Sequence, residues 1–232
     1  ETYTVGRTRP DLVDPSGVTS TASPRIASAV AMLVQAGHDN TAWSSDSVTT
    51  SMTNRAGVLV RNAERSEVIK AALMAGADRV THDTTSADLL NYRRSATDQT
   101  ANGLDRRYGA GQLNARNSYW ILAAGEQGST EDGNAAANVA SRGFDYDPYF
   151  GGSSGSNTTA TYPLPVDTVP RLLTAALVWN LDINGGTASS FNPAATLRDL
   201  NLEVLDLSEA GSPVVVSSQS SIENTENIWM VV

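Results

Sequence analysis

The sequence predicts an α+β protein, helices first and strands second. Three observations predict it. In the first 125 residues apolar side chains either recur at spacings of three and four or fill a whole segment, and glycines close the segments. From residue 161 the repeat shortens to two, with turn residues between short runs. Between these halves, residues 126–160 are rich in Gly, Ser, Asn and Ala and read as a connection.

The first element is organised around residues 9–37. Arg9-Pro10-Asp11-Leu12-Val13-Asp14-Pro15 reads as a short extended segment closed by Pro15. Residues 16–24 form a turn of small hydroxyl side chains, and a helix follows from Arg25 to Gly37. Ser23 before Pro24 is a start signal, because Ser caps free N–H groups and Pro is tolerated in the first turn. From Ile26 to Ala36 nearly every side chain is apolar or small, which predicts a buried helix with no wet face. Ser20 stands at its front, at the positive end of the helix dipole, where free N–H groups would meet an oxyanion. The local pattern leaves two readings open: Ser20 caps a core helix, or it is presented as a nucleophile.

Residues 38–57 are polar and read as irregular or weakly helical. Residues 63–76 form an amphipathic helix, with Ile69, Ala72, Leu73 and Gly76 on one stripe. Residues 80–107 are loop-like, anchored by Leu89, Leu90 and Tyr92. Tyr108-Gly109-Ala110-Gly111 is a turn, Asn114 a cap, and a helix runs from Ala115 to Ala124 before Gly125. Phe144, Tyr146, Tyr149 and Phe150 are expected to dock the connection onto a neighbouring surface. Strands are expected at 173–179, 200–204, 214–216 and 228–232, with turns at Asn184-Gly185-Gly186 and Ala210-Gly211-Ser212-Pro213. Short strands with turns between them suggest an antiparallel β-sandwich. Its last strand is expected to lack a partner, leaving the sandwich truncated.

The motifs of the first half occur in a specific order. Arg9-Pro10-Asp11-Leu12-Val13-Asp14-Pro15 is followed by Thr19-Ser20-Thr21-Ala22-Ser23-Pro24 and a small-residue helix. Then come Val68-Ile69-Lys70-Ala71-Ala72-Leu73 and Tyr108-Gly109-Ala110-Gly111-Gln112-Leu113-Asn114-Ala115. This series resembles the nucleophile region of the subtilisin-like serine proteases, the subtilases. Three positions differ from the family pattern: Asp14 stands for Ala, Val18 for Gly and Arg25 for His. The resemblance implies that residues 1–125 are the C-terminal portion of a subtilisin-like α/β catalytic domain. Residues 126–160 would be a linker, and residues 161–232 a jelly-roll-like β-sandwich domain of the kind that follows many subtilase catalytic domains. It implies Ser20 as the catalytic nucleophile, a polypeptide substrate, and secretion or a bacterial cell-envelope location, with no signal in this chain. The chain opens at Glu1-Thr2-Tyr3 as an excised fragment would.

Composition narrows the chemistry. Sixteen basic against 25 acidic side chains give a net charge of −9, which disfavours nucleic acid and anionic lipid as partners. No stretch approaches the ~20 apolar residues of a membrane span. The absence of cysteine excludes disulfides, thiolate metal sites and thiol nucleophiles. A serine protease of this type needs a His base and an Asp to orient it. The two histidines, His38 and His82, read as solvated loop residues, His38 some 20 Å from Ser20 along a helix of about 15 residues. In subtilases the Asp and His motifs precede the serine, and residues 1–19 carry neither. The polypeptide alone is therefore expected not to hydrolyse peptides. No cofactor is required; Asp182, Asn184, Asp199, Asp206, Glu223, Asn224 and Glu226 are oxygen ligands of the kind that can hold Ca²⁺, but their spacing is not diagnostic and the preferred reading is that they are solvated turn residues. The alternative to the protease reading is a non-catalytic protein- or glycan-binding module with a remnant serine motif.

Overall fold

A computed structural model of the chain describes residues 10–46, 52–81, 100–132, 139–148, 150, 157–165, 171–187 and 189–232. Among the described residues there are three α-helices: α1 (Thr19–Asp39), α2 (Ser66–Gly76) and α3 (Ala115–Ala123). The strands are β1 (Met52–Thr53), β2 (Leu59–Val60), β3 (Leu172–Val178), β4 (Asp182–Thr187), β5 (Ser190–Thr196), β6 (Asn201–Leu205), β7 (Val214–Gln219) and β8 (Thr225–Val231). They pair two by two and antiparallel: β1 with β2, β3 with β8, β4 with β5, and β6 with β7. The class is α+β, as the two periodicities predict.

Helix α1 departs from expectation at both ends and on its surface. It starts at Thr19 rather than after Ser23, so Pro24 lies inside it. It runs on to Asp39, so Gly37 does not stop it. Gly37 has a packing role instead: a Cβ there would lie 2.9 Å from the Ala63 carbonyl oxygen. Nor is the helix buried all round. Ala29, Leu33 and Gly37 are buried at spacings of four, while Ala27, Ser28, Ala31, Met32 and Gln35 are exposed. Apolar composition on every face says what a helix tolerates; the neighbours decide which face is covered.

Helix α2 is the central element, packed against α1, α3 and β3. It begins at Ser66, after a 3₁₀ turn at Asn62–Glu64 that the periodicity had merged with it. Its Val68, Ile69, Ala72 and Leu73 join Leu33, Ala63, Leu122 and Phe144 in the main core. Phe144 and the half-buried Tyr146 thus dock the connection, as expected; Tyr149 lies outside the described residues. The anchors Leu89, Leu90 and Tyr92 also lie outside them. Helix α3 begins at its predicted cap, Asn114, whose side chain accepts from the Asn117 N–H at 3.0 Å.

Residues 52–60 form a hairpin rather than irregular chain. The Asn54 side chain accepts from the N–H groups of Ala56 (2.9 Å) and Val58 (3.0 Å), an Asx turn written in a polar stretch. Asn184-Gly185-Gly186 is not a turn but part of β4, with a register shift between Asn184 and Gly186. The final strand has a partner: β8 pairs with β3 from Leu172↔Val231 to Val178↔Thr225. It begins three residues earlier than the apolar pattern indicates, because Thr225, Glu226 and Asn227 are polar yet fully buried.

The strands meet the helices through β3 and β8. Ala176 and Val178 pack on a second cluster, Met74, Ala77, Leu104 and Ala110. Trp229 packs with Tyr108 and Val13, under the Arg79 guanidinium at 4.4 Å from the ring centroid. Asn102 Nδ2 donates to Thr225 Oγ1 at 3.2 Å.

One glycine controls how these parts meet. Gly109 has φ +62°, and a Cβ there would lie 2.3 Å from the Pro10 carbonyl oxygen and 2.5 Å from the Asp11 carbonyl carbon. Both obstacles are backbone and cannot swing aside. Gly109→Ala is expected to destabilise the fold by at least about 2–3 kcal/mol, from the left-handed conformation plus overpacking. Urea denaturation of the variant measures the loss.

Candidate active site

The segments that carry the sequence motifs are far apart in the chain and together in space. The Val13 N–H donates to the Gly111 carbonyl at 2.9 Å, and the Leu113 N–H to the Val13 carbonyl at 2.8 Å. The Ala110 N–H donates to the Asp11 carbonyl at 2.9 Å. The extended segment thus lies alongside the glycine turn, and the Asp11 carboxylate also pairs with Lys70 Nζ of α2 at 3.1 Å. Asp78 and Gln112 exchange backbone hydrogen bonds at 2.8 and 2.9 Å, and Asn114 Nδ2 donates to Asp78 Oδ1 at 2.8 Å. The end of α2, the start of α3 and the lead-in to α1 are therefore pinned to one strip of backbone. From its far end the chain turns through residues 15–18 into Ser20.

Ser20 is the second residue of α1 and is exposed to solvent. Val18, in extended conformation, occupies the cap position and its side chain offers no hydrogen bond. Its carbonyl accepts from the Thr21 and Ala22 N–H groups at 3.0 and 3.1 Å. The N–H groups of Thr19 and Ser20 and the Ser20 hydroxyl find no partner among the described residues. Pro24, four residues on, has no N–H to return to the Ser20 carbonyl. Ser20 thus does not cap the helix; it stands in a solvent-facing turn with open donors at the positive end of the dipole. An oxyanion beside that turn would be met by backbone N–H groups that need no rearrangement.

A base for the hydroxyl is not among the described residues. His38 is in the last turn of α1, not in a loop, and its Nδ1 lies 2.9 Å from Glu64 Oε1. Eighteen residues of helix separate it from Ser20, about 27 Å at 1.5 Å per residue, farther than the sequence estimate. His82 lies outside the described residues.

Two of the three positions that differ from the subtilase pattern are partners. Asp14 Oδ1 accepts from Arg25 Nη1 at 3.2 Å and from the Ser16 N–H at 3.0 Å. The Asp14 side chain is 8% exposed and that of Arg25 57%. Burial works to raise the Asp14 carboxyl, but the hydrogen bonds from Ser16 and the Arg25 guanidinium outweigh it and hold it below its ordinary value. The pair ties the turn before Ser20 to the second turn of α1.

Four of the residues expected as calcium ligands have partners within the protein. Asp182 pairs with Arg198 at 3.4 Å, and Asp206 accepts from the Ser208 N–H and hydroxyl at 2.8 and 2.7 Å. Asn224 Nδ2 donates to the Trp179 carbonyl at 2.8 Å, and Glu226 bonds to Ser218 and Ser220. The Asn184 side chain lies outside the described residues. Among the described residues, no three His, Cys, Asp or Glu side chains are grouped to hold a metal ion. No described helix is long and apolar enough to cross a membrane. A shallow groove on the distal half of α1, lined by Met32, Gln35, Ala36, Asp39, Asn40 and Tyr119, does not reach Ser20.

Comparison with protein-family models, with curated proteins and with solved structures finds no match to the chain.

The two bonds to Asp14 differ in exposure, and that sets their weights. Arg25→Ala is expected to cost well under 1 kcal/mol, as an exposed ion pair does. Asp14→Ala also removes the sheltered bond to the Ser16 N–H and is expected to cost about 1 kcal/mol. Because the folded carboxyl titrates below its unfolded value of 3.8, its contribution is present above that pH and is lost as pH falls through the folded value. Melting temperatures of the two variants at pH 7 and pH 3 check both statements.

Proposed function

We propose that Ser20 is the acyl-forming nucleophile of a subtilisin-like serine endopeptidase, and that this chain supplies the C-terminal part of the catalytic unit. What supports the reading most is the placement of Ser20: exposed, uncapped, beside open N–H groups, on a turn anchored to the strip that unites three motif segments. In the completed site an imidazole from outside the described residues takes the Ser20 proton as Oγ attacks the scissile carbonyl carbon. The N–H groups of the first turn of α1 face the resulting oxyanion. The leaving amine takes the proton back, an acyl-enzyme forms, and water attacking by the reverse route releases the acid. On this reading β3–β8 and β6–β7 are layers of the β-sandwich, since β8 packs against β6 and β7.

One observation favours the alternative, a non-catalytic module that binds a protein or glycan. The Asp14–Arg25 pair closes around the turn before Ser20 with residues that differ from the family pattern.

A fluorophosphonate probe separates the two. A polypeptide that includes the chain's natural upstream sequence should form an adduct that Ser20→Ala abolishes. The chain alone should label slower by a factor on the order of 10⁴ or more, the loss that follows removal of a triad base. An adduct indifferent to Ser20→Ala, or an upstream sequence with no His and Asp motifs, overturns the protease reading.

A further inference from the structure

The first turn of α1 is held weakly by its own bonds. Its cap position falls on Val18, whose side chain offers no hydrogen bond, and no acid stands in the first turn. Pro24 lies inside the helix and has no N–H for the Ser20 carbonyl, which removes one bond from the turn that carries Ser20. Pro15, Gly17 and Val18, just before it, are exposed. A Cβ on Gly17 would meet nothing within 4 Å, so packing does not hold that glycine in place.

One side chain from each end closes this stretch. Asp14 follows directly on Val13, which the backbone strip holds to Gly111 and Leu113. Its Oδ1 accepts from the Ser16 N–H at 3.0 Å and from Arg25 Nη1 at 3.2 Å. Arg25 belongs to the second turn of α1, so the segment between the paired residues contains Ser20. Ser20 is thus tied to the strip from both sides, through the backbone on one and through an ion pair on the other.

We propose that Asp14 and Arg25 are positioning residues: their ion pair takes the place of the side-chain cap that α1 lacks and holds Ser20, with the open N–H groups beside it, in the geometry for attack. On the reading of Ser20 as the nucleophile, on which this inference rests, the pair acts through the backbone of residues 15–22 and not on substrate. A misplacement of about 1 Å can cost on the order of 10²-fold in rate, whereas an exposed ion pair contributes well under 1 kcal/mol to stability. The pair therefore matters little to melting and measurably to reaction. With the Arg25 side chain 57% exposed, it is also open to screening by salt.

The variants are compared in the polypeptide that includes the natural upstream sequence. Fluorophosphonate labelling is resolved into a half-saturation and a maximal rate constant. Arg25→Gln and Asp14→Asn should each lower the maximal rate constant about three- to tenfold and leave half-saturation and melting temperature nearly unchanged. Asp14→Asn keeps an acceptor for the Ser16 N–H, so its loss reports the charge pair. Arg25→Lys supplies one donor, as Nη1 does, and should retain most of the rate. At about 1 M NaCl the gap between wild type and Arg25→Gln should narrow. Wild-type rate constants in Arg25→Gln and Asp14→Asn, an equal loss in Arg25→Lys, or a gap that salt does not change overturns the proposal. If the wild-type polypeptide forms no Ser20-dependent adduct, the nucleophile reading fails instead, and hydrogen exchange decides the role of the pair as a cap. The Ser16, Thr21 and Ala22 amides should exchange about two- to fivefold faster in Arg25→Gln than in wild type, with α2 unchanged. Equal exchange overturns that role as well.

Discussion

The backbone pairing of Asp11–Val13 with Ala110–Leu113 is the constraint on which the rest of the structure depends. It joins segments about a hundred residues apart with only a few hydrogen bonds. Net hydrogen bonds of this kind contribute about 1 kcal/mol each, so the strip holds because its surroundings are apolar. Leu12 packs against both the main core and the cluster of Met74, Leu104 and Ala110, and Val13 against Tyr108 and Trp229. Such long-range closure costs chain entropy that local helices do not, and the packed side chains offset it. Where Ser20 stands relative to α2 and α3 is decided here rather than within its own helix.

Much of the helical half was legible in the sequence because its signals are local. Asn114 caps α3 as its position before a periodic run indicates, and the stripe of α2 becomes the centre of the core. What was not legible depends on partners. Nothing in residues 19–39 says which face of α1 is covered, since apolar and small residues occur on all of them. Ser23-Pro24 imitates a helix start, whereas the cap position of α1 falls on Val18, a residue with no capping group. The start of β8 is hidden in the sequence for the converse reason. Thr225, Glu226 and Asn227 are buried polar residues, and their hydrogen-bond partners at Asn102 and Ser218 are remote in sequence.

The candidate site divides in the same way. The motif singles out Ser20, and the structure leaves it exposed beside N–H groups with no partner among the described residues. The link between Asp14 and Arg25 joins two positions that the sequence shows only separately. An acid and a base eleven residues apart carry no periodic signal; they meet because the turn at residues 15–18 doubles the chain back. The one sequence signal for it is a tight turn between two oppositely charged residues.

Arg79 shows how such a junction restricts what evolution can exchange. Its guanidinium fork donates to the Met74 and Ala110 carbonyls while its flat face covers the Trp229 indole. A lysine ammonium is a point donor without a plane, so it would satisfy the carbonyls or the ring but not both. Drift at position 79 toward the other basic residue would therefore require a compensating change at position 229, and the two sites should vary together across descendants of this sequence.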